Sequence, residues 1–416
     1  MIGAGSLNET KWSREHTLTF ISTSLGFLMW GFVTTMGVAS LSWFKGEMPA
    51  YMIPVYPAIG PLVLLIGNQV MGRVADLVGR RRVFVITMTL YAVGLLGMAI
   101  AANLPQFVAA YVLAEFGVGG EEPASLAALT EIMPANHRGK ALVLATNFDN
   151  IGAALASGIV LAAGLYSIGF GEARIILGAA GAAVIGAAVL ARHSMPESSR
   201  WLIARGKSME PSKSTQAAAG RRVPLWLRLL VLGAIGVSQI VTYGLIAFYL
   251  AYYYYTSIIT ISSIIMIANL GAAAAGLIGL AMDRIGRRGF TLFSYIGGAL
   301  SMIPIIFLYN SLGSSILFYV FLFINMMFSE FSWAVRTMLE PELFKTIDRA
   351  TFIGLVRVIA WSAYISSLYL SSYLSEYYYL LLNLAFYMLG AAGAITWFIA
   401  GIETKGTPLE KLEESL

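Results

Sequence analysis

Twelve long apolar segments constrain the fold of this chain more than any other feature of its sequence. Each is about as long as the roughly 20 residues that a membrane-spanning helix needs, and about twice as long as a tilted β-strand that crosses a bilayer. We therefore predict an all-α integral membrane protein with twelve transmembrane helices. The segments occupy residues 17–44, 49–71, 83–102, 106–131, 141–166, 173–191, 225–248, 257–281, 289–309, 314–337, 351–374 and 377–401.

The composition leaves little room for anything outside the membrane. Only 12% of the residues are charged and 58% are hydrophobic, whereas about a quarter of the residues of an ordinary soluble domain are charged. No sizeable soluble domain is expected beside the apolar segments. The polar stretch from Met1 to His16 lacks the apolar core and small-residue cleavage site of a signal peptide. We expect the first segment to remain as a membrane helix.

The lysines and arginines fall almost entirely on one side of the predicted membrane. When the segments are threaded alternately, all 27 basic residues except Lys45, Arg174 and Arg357 lie on the side that holds both termini. Loops rich in Lys and Arg stay in the cytoplasm, so both termini are predicted to be cytoplasmic in a multi-pass plasma-membrane protein. The net charge of +5 then reflects contact with a lipid bilayer, and no nucleic-acid partner is expected.

A polar stretch rich in Ser, Lys, Arg and Gly separates the first six segments from the last six. It predicts a cytoplasmic linker at residues 194–223. The linker would join an N-terminal six-helix bundle, residues 1–193, to a C-terminal six-helix bundle, residues 224–401. Residues 402–416 are predicted to form a cytoplasmic tail.

A loop motif with identical spacing occurs once in each half, between the second and third segments. Two such copies at equivalent places indicate that the halves are duplicates. Glycine permits a tight turn and a close approach of helices, and the arginines anchor a helix end on the cytoplasmic side. The motif consists of Gly72, Asp76, Gly79, Arg80 and Arg81 in the first copy and of Gly279, Asp283, Gly286, Arg287 and Arg288 in the second.

The two motif aspartates, Asp76 and Asp283, each need a partner, because a charge just inside a membrane boundary is costly. A helix N-terminus of the other half, or the neighbouring arginines, would supply that partner in only one conformation. We favour this conformational latch over the alternative that Asp and Arg only set the topology, because all five motif elements recur.

Further motifs complete a resemblance to a known family. Together with the repeated loop, they resemble the major facilitator superfamily, and within it the sugar porters and related metabolite:proton symporters. The resemblance covers nearly the whole chain and implies two six-helix bundles, a central cavity and alternating access. The motifs are Glu131-x6-Arg138 after the fourth segment, Glu342-x6-Arg349 after the tenth, Pro196 to Leu202 after the sixth, and Glu403 to Gly406 in the tail.

The seventh segment bears on the substrate. Sugar porters usually carry paired glutamines there, whereas this chain has Gln239 followed by Tyr243 and Gly244. The resemblance thus favours symport of a proton with an organic acid or related metabolite, with a sugar porter or a uniporter as the alternative. Gln239 and Tyr243 are candidate substrate-binding residues.

Carboxyls at bilayer depth are candidate proton or substrate sites, because burying a charge there is expensive. Glu115 and Glu122 fall on one face of the fourth segment at helical periodicity, while Glu121 points elsewhere. Asp149 lies near the midplane of the fifth segment. Burial and repulsion between like charges favour reversible protonation of such groups. The alternative is a structural carboxyl bonded to a neighbouring helix.

The second half contributes Glu330 in the tenth segment and Arg357 in the eleventh. Arg357 is interpreted as the only basic residue deep in a segment. It would either bind a substrate carboxylate or neutralise Glu330. Trp333 is expected to pack rather than to stack on a substrate. Arg336, near a predicted boundary, is interpreted as a topology residue.

Other function classes find less support in the sequence. There is no cysteine and there are only three histidines, so neither a metal nor another cofactor is expected. The chain also lacks a nucleotide-binding G-x-x-x-x-G-K-[ST] loop and a G-x-S-x-G motif, so neither ATP-driven transport nor an intramembrane enzyme is expected. A non-transporting membrane sensor remains an alternative. We expect a monomer whose partners are the solute, protons and the bilayer.

Overall fold

Twelve long α-helices form the fold within the residues that the computed structural model describes. These residues are 11–44, 49, 52, 55–134, 136–193, 195, 197–204, 206, 223–407, 409–414 and 416. The helices are α1 (Arg14–Phe44), α2 (Tyr56–Val78), α3 (Arg80–Ile100), α4 (Leu104–Ile132), α5 (Arg138–Leu165), α6 (Phe170–His193), α7 (Leu225–Tyr254), α8 (Ile258–Arg284), α9 (Arg287–Phe307), α10 (Ile316–Glu342), α11 (Arg349–Ser371) and α12 (Glu376–Ala400). The predicted all-helical class with twelve long helices is confirmed.

Some predictions fall on residues that the structure does not describe. Lys45, most of the stretch from Met1 to His16, and most of the predicted linker at 194–223 lie outside the described ranges. The described part of the linker includes a short helix, Ser199–Ala204, and a second short helix, Leu409–Glu414, lies in the predicted tail. The proposed domain boundaries stay predictions.

The predicted second segment, residues 49–71, begins and ends several residues before the helix that the structure shows. The helix observed there, α2, starts at Tyr56 with a proline in its first turn, and it runs through Gly72 and Asp76 to Val78. It ends because Gly79 has a φ of 104°, a left-handed conformation that favours glycine. The motif aspartate therefore lies on the last turn of a helix rather than in a loop.

Eleven of the twelve helices are long and apolar enough to cross a membrane by length and composition alone. The exception is α4, which has 29 residues. It carries Glu115, Glu121 and Glu122 near its middle, and all three are buried. These glutamates lower the mean hydropathy of α4, and the neighbouring helices cover them.

The helices pack in two sets of six that meet along two helix pairs. In the first set, α4 packs against α1, α2 and α3; in the second, α7 packs against α10, α11 and α12. Between the sets, α2 packs against α11 and α5 packs against α8. The inner faces of both sets therefore enclose a space at the centre.

Three of the helices around this space have irregular turns. Helix α5 is interrupted at Asn147, just before Asp149. Helix α7 contains a π-helical turn at Leu245–Tyr249, and α8 ends in a 3₁₀ turn at Leu277–Arg284. Such turns depart from regular α-helical hydrogen bonding and often occur at functional positions.

Candidate functional site

A central cavity lies between the two sets of helices. The space in it that protein atoms do not fill, part of which is open to solvent, is about 650 Å³. The structure brings all seven predicted membrane-site residues to its wall, although their roles stay predictions. These residues are Glu115 and Glu122 from α4, Asp149 from α5, Gln239 and Tyr243 from α7, Glu330 from α10 and Arg357 from α11.

A compact cluster of opposite charges occupies one part of the wall. Arg357 forms ion pairs with Glu122 of the other half and, at 3.0 Å, with Glu340. Arg336 reaches Glu340 at 2.6 Å and donates a 2.5 Å hydrogen bond to the side-chain oxygen of Gln239. Two arginines thus face two glutamates, so the cluster is close to neutral and each charge has a partner.

The tryptophan of this region packs against the same cations. The Cζ atoms of Arg336 and Arg357 lie 4.5 Å and 5.2 Å from the ring centroid of Trp333. Both distances suit a cation–π interaction. Trp333 lines the cavity, but its contacts in this state are with protein cations, in agreement with the packing interpretation.

One of the two alternatives left open for Arg357 and the interpretation of Arg336 are wrong here. Arg357 does not pair with Glu330; it pairs with Glu122 and Glu340. Arg336 is fully buried and lines the cavity, so it is not a boundary residue. The predicted tenth segment ended at residue 337, whereas α10 continues to Glu342. Because of this extension, Arg336 lies well inside the helix.

Asp149 and Glu330 form a second group, in which a hydrogen bond joins the two halves. The side-chain amide of Asn150 donates to Glu330 at 2.7 Å, and the backbone N–H of Asn150 donates to Asp149 at 2.5 Å. The Tyr243 hydroxyl donates to the side-chain oxygen of Asn269 at 2.5 Å and lies 3.3 Å from that of Asn150. Neither carboxyl has an ion pair within the described part of the chain.

Glu115 stands apart from both groups. Its side chain is fully buried and has no ion pair among the described residues. The polar side chains that interact with it, Thr34 and Tyr111, are uncharged. An unpaired carboxyl at this depth is costly in its charged form, so Glu115 needs a proton or a cation that the described protein does not supply.

Glu121, next to the cavity glutamate Glu122, points away from the cavity. It forms an ion pair with Arg192 of α6 and accepts a 3.1 Å hydrogen bond from Thr87. The sequence placed Arg192 among the basic residues of the cytoplasmic side, and the structure shows it buried at the end of α6. Glu121 and Arg192 are a pair within one half.

Away from the cavity, the repeated motifs lie together at one end of the molecule, which we call the motif end. There each motif aspartate contacts the start of a helix from the other half. Asp76 accepts hydrogen bonds from the backbone N–H and the hydroxyl of Thr351, at 2.8 Å and 2.7 Å. Asp283 accepts from the backbone N–H groups of Gly139 and Lys140, at 2.9 Å and 3.2 Å. A carboxylate is favoured at a helix N-terminus.

The motif arginines contact the aspartates of their own half. Arg80 lies 3.0 Å from Asp76, and Arg287 lies 3.8 Å from Asp283. Both partners named in the sequence prediction, an opposite helix N-terminus and a neighbouring arginine, are therefore present in each half. The latch role itself stays a prediction, because it concerns a second conformation.

The motif glycines allow the two halves to approach closely. A Cβ atom at Gly72 would lie 3.0 Å from the backbone oxygen of Ala350 in α11, and one at Gly279 would lie 2.9 Å from the side chain of Leu144 in α5. Gly286, unlike Gly79, has an ordinary φ of −67°. Only the first copy of the motif needs glycine for its turn.

Two further motifs, one in each half, also lie at the motif end, and the arginine of each pairs with the glutamate of the other. They are Glu131/Arg138 and Glu342/Arg349. Arg138 pairs with Glu342 at 2.9 Å, whereas Arg349 pairs with Glu131 at 3.3 Å. Arg80 also reaches Glu131, at 2.7 Å. The two glutamates and two arginines of these motifs thus form ion pairs across the interface between the halves. Neither arginine pairs here with the glutamate of its own motif.

Two further glutamates cap the helices that follow the loops. Glu197 accepts hydrogen bonds from the backbone N–H groups of Arg80 and Arg81, at 3.0 Å and 3.2 Å. Glu403 does the same for Arg287 and Arg288, at 2.9 Å and 3.3 Å. In the sequence both glutamates lie in family motifs that do not reveal a partner. Their nearly equal distances from the repeated loops, 117 residues after Arg80 and 116 after Arg287, were the signal that could have linked them.

At the opposite end, a tyrosine of the second half contacts the first half, and a second tyrosine packs nearby within the second half. The hydroxyl of Tyr249 in α7 donates to the backbone oxygen of Pro57 in α2 at 3.0 Å. Tyr364 packs against Gly244, where a Cβ atom would overlap its hydroxyl. Tyr249, Tyr364 and Gly244 all line the cavity. The two tyrosines could not be identified from the sequence, because single aromatic residues in apolar segments carry no distinctive pattern.

Comparison with known proteins gives two family matches. The model described as Major Facilitator Superfamily matches residues 19–307, and the model described as Sugar (and other) transporter matches residues 225–416. A probable metabolite transport protein, CsbC of Bacillus subtilis (strain 168), is 25% identical, covering 97% of this chain and 95% of its own length. Plastidic glucose transporter 4 of Arabidopsis thaliana is 28% identical, covering 84% and 70% respectively.

The fold resembles solved transporter structures. The proton:xylose symporter XylE bound to 6-bromo-6-deoxy-D-glucose matches with a TM-score of 0.75 and 18% sequence identity, covering 96% of this chain and 98% of that chain. The inward-open conformation of XylE from E. coli matches with a TM-score of 0.67 and covers 96% and 99% respectively, again at 18% identity. At this identity the likeness concerns the fold.

Proposed function

This chain belongs to the major facilitator superfamily of membrane transporters, and from that premise we propose that it carries a small polar organic solute across the membrane by alternating access, in symport with protons. One observation carries the proposal: a cavity between the two halves is lined by carboxyls that lack a cationic partner among the described residues. Such carboxyls can take up and release protons as access to the cavity changes.

The proton site that the geometry supports best is the pair Asp149 and Glu330. The two carboxyls flank Asn150, which bonds to both, and neither has an ion pair in the described part of the chain. Like charges so close in a buried site cannot both be ionised cheaply, so the pair favours one bound proton. Glu122, also predicted from the sequence as a proton site, is held by Arg357 and suits this role less well.

Uptake into proteoliposomes tests the proposal. Labelled organic acids, sugars and phosphate would be offered with and without an inward-acid pH gradient. Concentration of one solute only under the gradient supports symport, whereas equilibration regardless of the gradient supports the uniporter alternative. A chain that binds solutes but moves none would favour the sensor alternative.

Variants locate the proton site. Asp149→Asn and Glu330→Gln should each abolish accumulation driven by the pH gradient while leaving solute exchange at equal concentrations. The matched control is Asp348→Asn, because Asp348 is half-exposed in an ion pair with Arg73 and does not line the cavity. Gradient-driven accumulation that survives both cavity substitutions would contradict this assignment.

The relatives differ in the solutes their names give, a metabolite for one and glucose for another. An organic acid was the sequence-based expectation, with a sugar as the alternative. Both cavity arginines, Arg336 and Arg357, already contact carboxylates. A carboxylate solute would have to displace Glu122 or Glu340 from them, so the geometry gives an organic acid less support than the sequence did.

The membrane arrangement follows from the basic residues. The motif end is proposed to face the cytoplasm, with both termini on that side, in a monomer of the plasma membrane built from the bundles 1–193 and 224–401. Because the chain has no cysteine, single cysteines at exposed Arg82 or Arg284 would report orientation directly. A membrane-impermeant thiol reagent should label them only after it gains access to the cytoplasmic face.

A further inference from the structure

Resting on the proposed transport through this cavity, we propose that its wall near Glu115 is a binding site for a small organic ammonium ion, formed by the Glu115 carboxylate together with the rings of Trp30, Trp361, Tyr364 and Tyr249. The chemical class of the solute would then be a small organic cation. Glu115 is not part of the proposed proton site, which consists of Asp149 and Glu330.

Glu115 supplies the negative charge. It is fully buried on the cavity wall, and the polar side chains that interact with it, Thr34 and Tyr111, are uncharged. No lysine, arginine or histidine within the described ranges forms an ion pair with it. A buried carboxylate is stable only when it is paired or protonated, and a cationic solute would provide the missing pair.

The other cavity charges make a cation the best complement. Glu122 and Glu340 are matched by Arg336 and Arg357. The proton pair in α5 and α10 carries net negative charge even with one proton bound. A carboxylate solute would therefore meet only unmatched negative groups. A neutral solute would leave Glu115 without an ionic partner, so that only a bound proton could neutralise its charge.

Aromatic rings surround the same space. The ring centroids of Trp30 and Trp361 are 6.5 Å apart, those of Trp361 and Tyr364 are 5.6 Å apart, and those of Tyr364 and Tyr249 are 6.3 Å apart. All four residues line the cavity, and both tyrosines lie within electrostatic range of Glu115. Several aromatic rings with a carboxylate nearby form the kind of site that binds quaternary ammonium groups.

The indole N–H groups of Trp30 and Trp361 refine the class of solute. Both are buried donors without a partner among the described residues. Each would gain a hydrogen bond if the solute carried a hydroxyl or carbonyl oxygen. The site therefore suits an ammonium group with an oxygen a few bonds away, as in an amino alcohol.

Titration calorimetry on the full chain in lipid nanodiscs tests this inference. The probes are choline, tetramethylammonium and N-methylpyridinium, with 3,3-dimethylbutan-1-ol as the uncharged carbon analogue of choline and D-xylose and nicotinate as neutral and anionic solutes. At least one ammonium probe should bind about tenfold or more tightly than the uncharged analogue, because both the carboxylate and the rings distinguish charge. Tighter binding of D-xylose or nicotinate than of every ammonium probe would overturn the proposal.

Three variants separate the site from general effects. Glu115→Gln should weaken ammonium binding about tenfold or more without lowering thermal stability, because it removes an unpaired buried charge. Glu115→Asp should restore part of the affinity, and Trp361→Leu should weaken ammonium binding more than binding of the uncharged analogue. Unchanged ammonium affinity in Glu115→Gln would also overturn the proposal.

Failure of this inference differs from failure of the proposed function. If ammonium ions do not bind but another solute still accumulates under the pH gradient, the transporter proposal stands and the solute class is wrong. If ammonium ions bind with the expected dependence on Glu115 but no solute crosses the membrane, the binding site stands and symport fails.

Discussion

Asp76 and Asp283 offer the most direct way to perturb the closure of the motif end. Each accepts two hydrogen bonds from the N-terminus of a helix in the opposite half. We predict that Asp76→Asn and Asp283→Asn shift the molecule toward states in which the motif end is open. Asparagine keeps the size of the side chain and one acceptor oxygen but removes the charge.

The expected magnitude follows from the hydrogen bonds. A hydrogen bond to a charged group contributes about 1 kcal/mol more than a neutral one, so each substitution should cost the closed state about 2 kcal/mol. The two contacts lie on different helix pairs, and their effects should add to about 4 kcal/mol. These free energies correspond to about 30-fold and about 1,000-fold changes in the ratio of open to closed molecules.

The assay is a distance measurement between spin labels at the motif end. Arg82→Cys and Arg284→Cys place labels on exposed positions of the two halves, and no native cysteine has to be removed. In proteoliposomes, the double aspartate variant should show a population with longer distances than the parent protein.

A matched control lies on the same interface. Arg73 and Asp348 approach to 3.8 Å across it, but their side chains are 53% and 48% exposed. An exposed ion pair contributes about 0–1 kcal/mol, so Arg73→Gln should leave the distances nearly unchanged. If the double aspartate variant gave the same distance distribution as this control, the contacts would not hold the motif end closed and the reasoning would be refuted.

Three further predictions concern packing and stability. Gly244→Ala should slow transport severely with little loss of folded protein in the membrane, because the added methyl group would overlap the Tyr364 hydroxyl at the cavity wall; transport equal to the parent in an uptake assay would contradict this. Arg192→Met should lower the free energy of unfolding by about 3–5 kcal/mol, because it leaves Glu121 charged and buried without its partner, and a thermal-shift measurement in detergent would detect the loss. Asn103→Ala should cost only about 1 kcal/mol in the same measurement, because it removes one N-terminal cap of α4 at an exposed position.

The sequence was sufficient for the fold class and the family. Helical spans were predictable because about 20 apolar residues leave few other structures possible in a membrane, and the repeated loop identified the superfamily that the family match confirms. The second helix was placed wrongly, at residues 49–71, because a prediction from hydropathy ends a helix where polar residues begin. The observed helix continues through Gly72 and Asp76, and the buried contacts of Asp76 stabilise these last polar turns.

The charge pairs were harder to predict than the residues themselves. Glu122, Glu330 and Arg357 were chosen because charges in a membrane segment are costly, and the structure places all three on one cavity wall. Which carboxyl meets Arg357 depends on the rotation of three helices, and periodicity fixes only faces within one helix. The contribution of Arg336 was missed because its distance from the helix end was underestimated by several residues.

The contacts at the two ends of the cavity imply unequal costs of opening. At the motif end, opening would break four hydrogen bonds to Asp76 and Asp283 and the ion pairs Arg138–Glu342 and Arg349–Glu131. At the opposite end, a hydrogen bond between neutral groups, from Tyr249 to Pro57, joins the halves. Because charge-assisted hydrogen bonds are about twice as strong as neutral ones, the solute-free protein should open more readily at the end away from the motifs. A solute that pairs with Glu115 would remove a buried negative charge on the wall and favour closure around itself, so solute and proton, rather than the loops alone, would decide when the motif end opens.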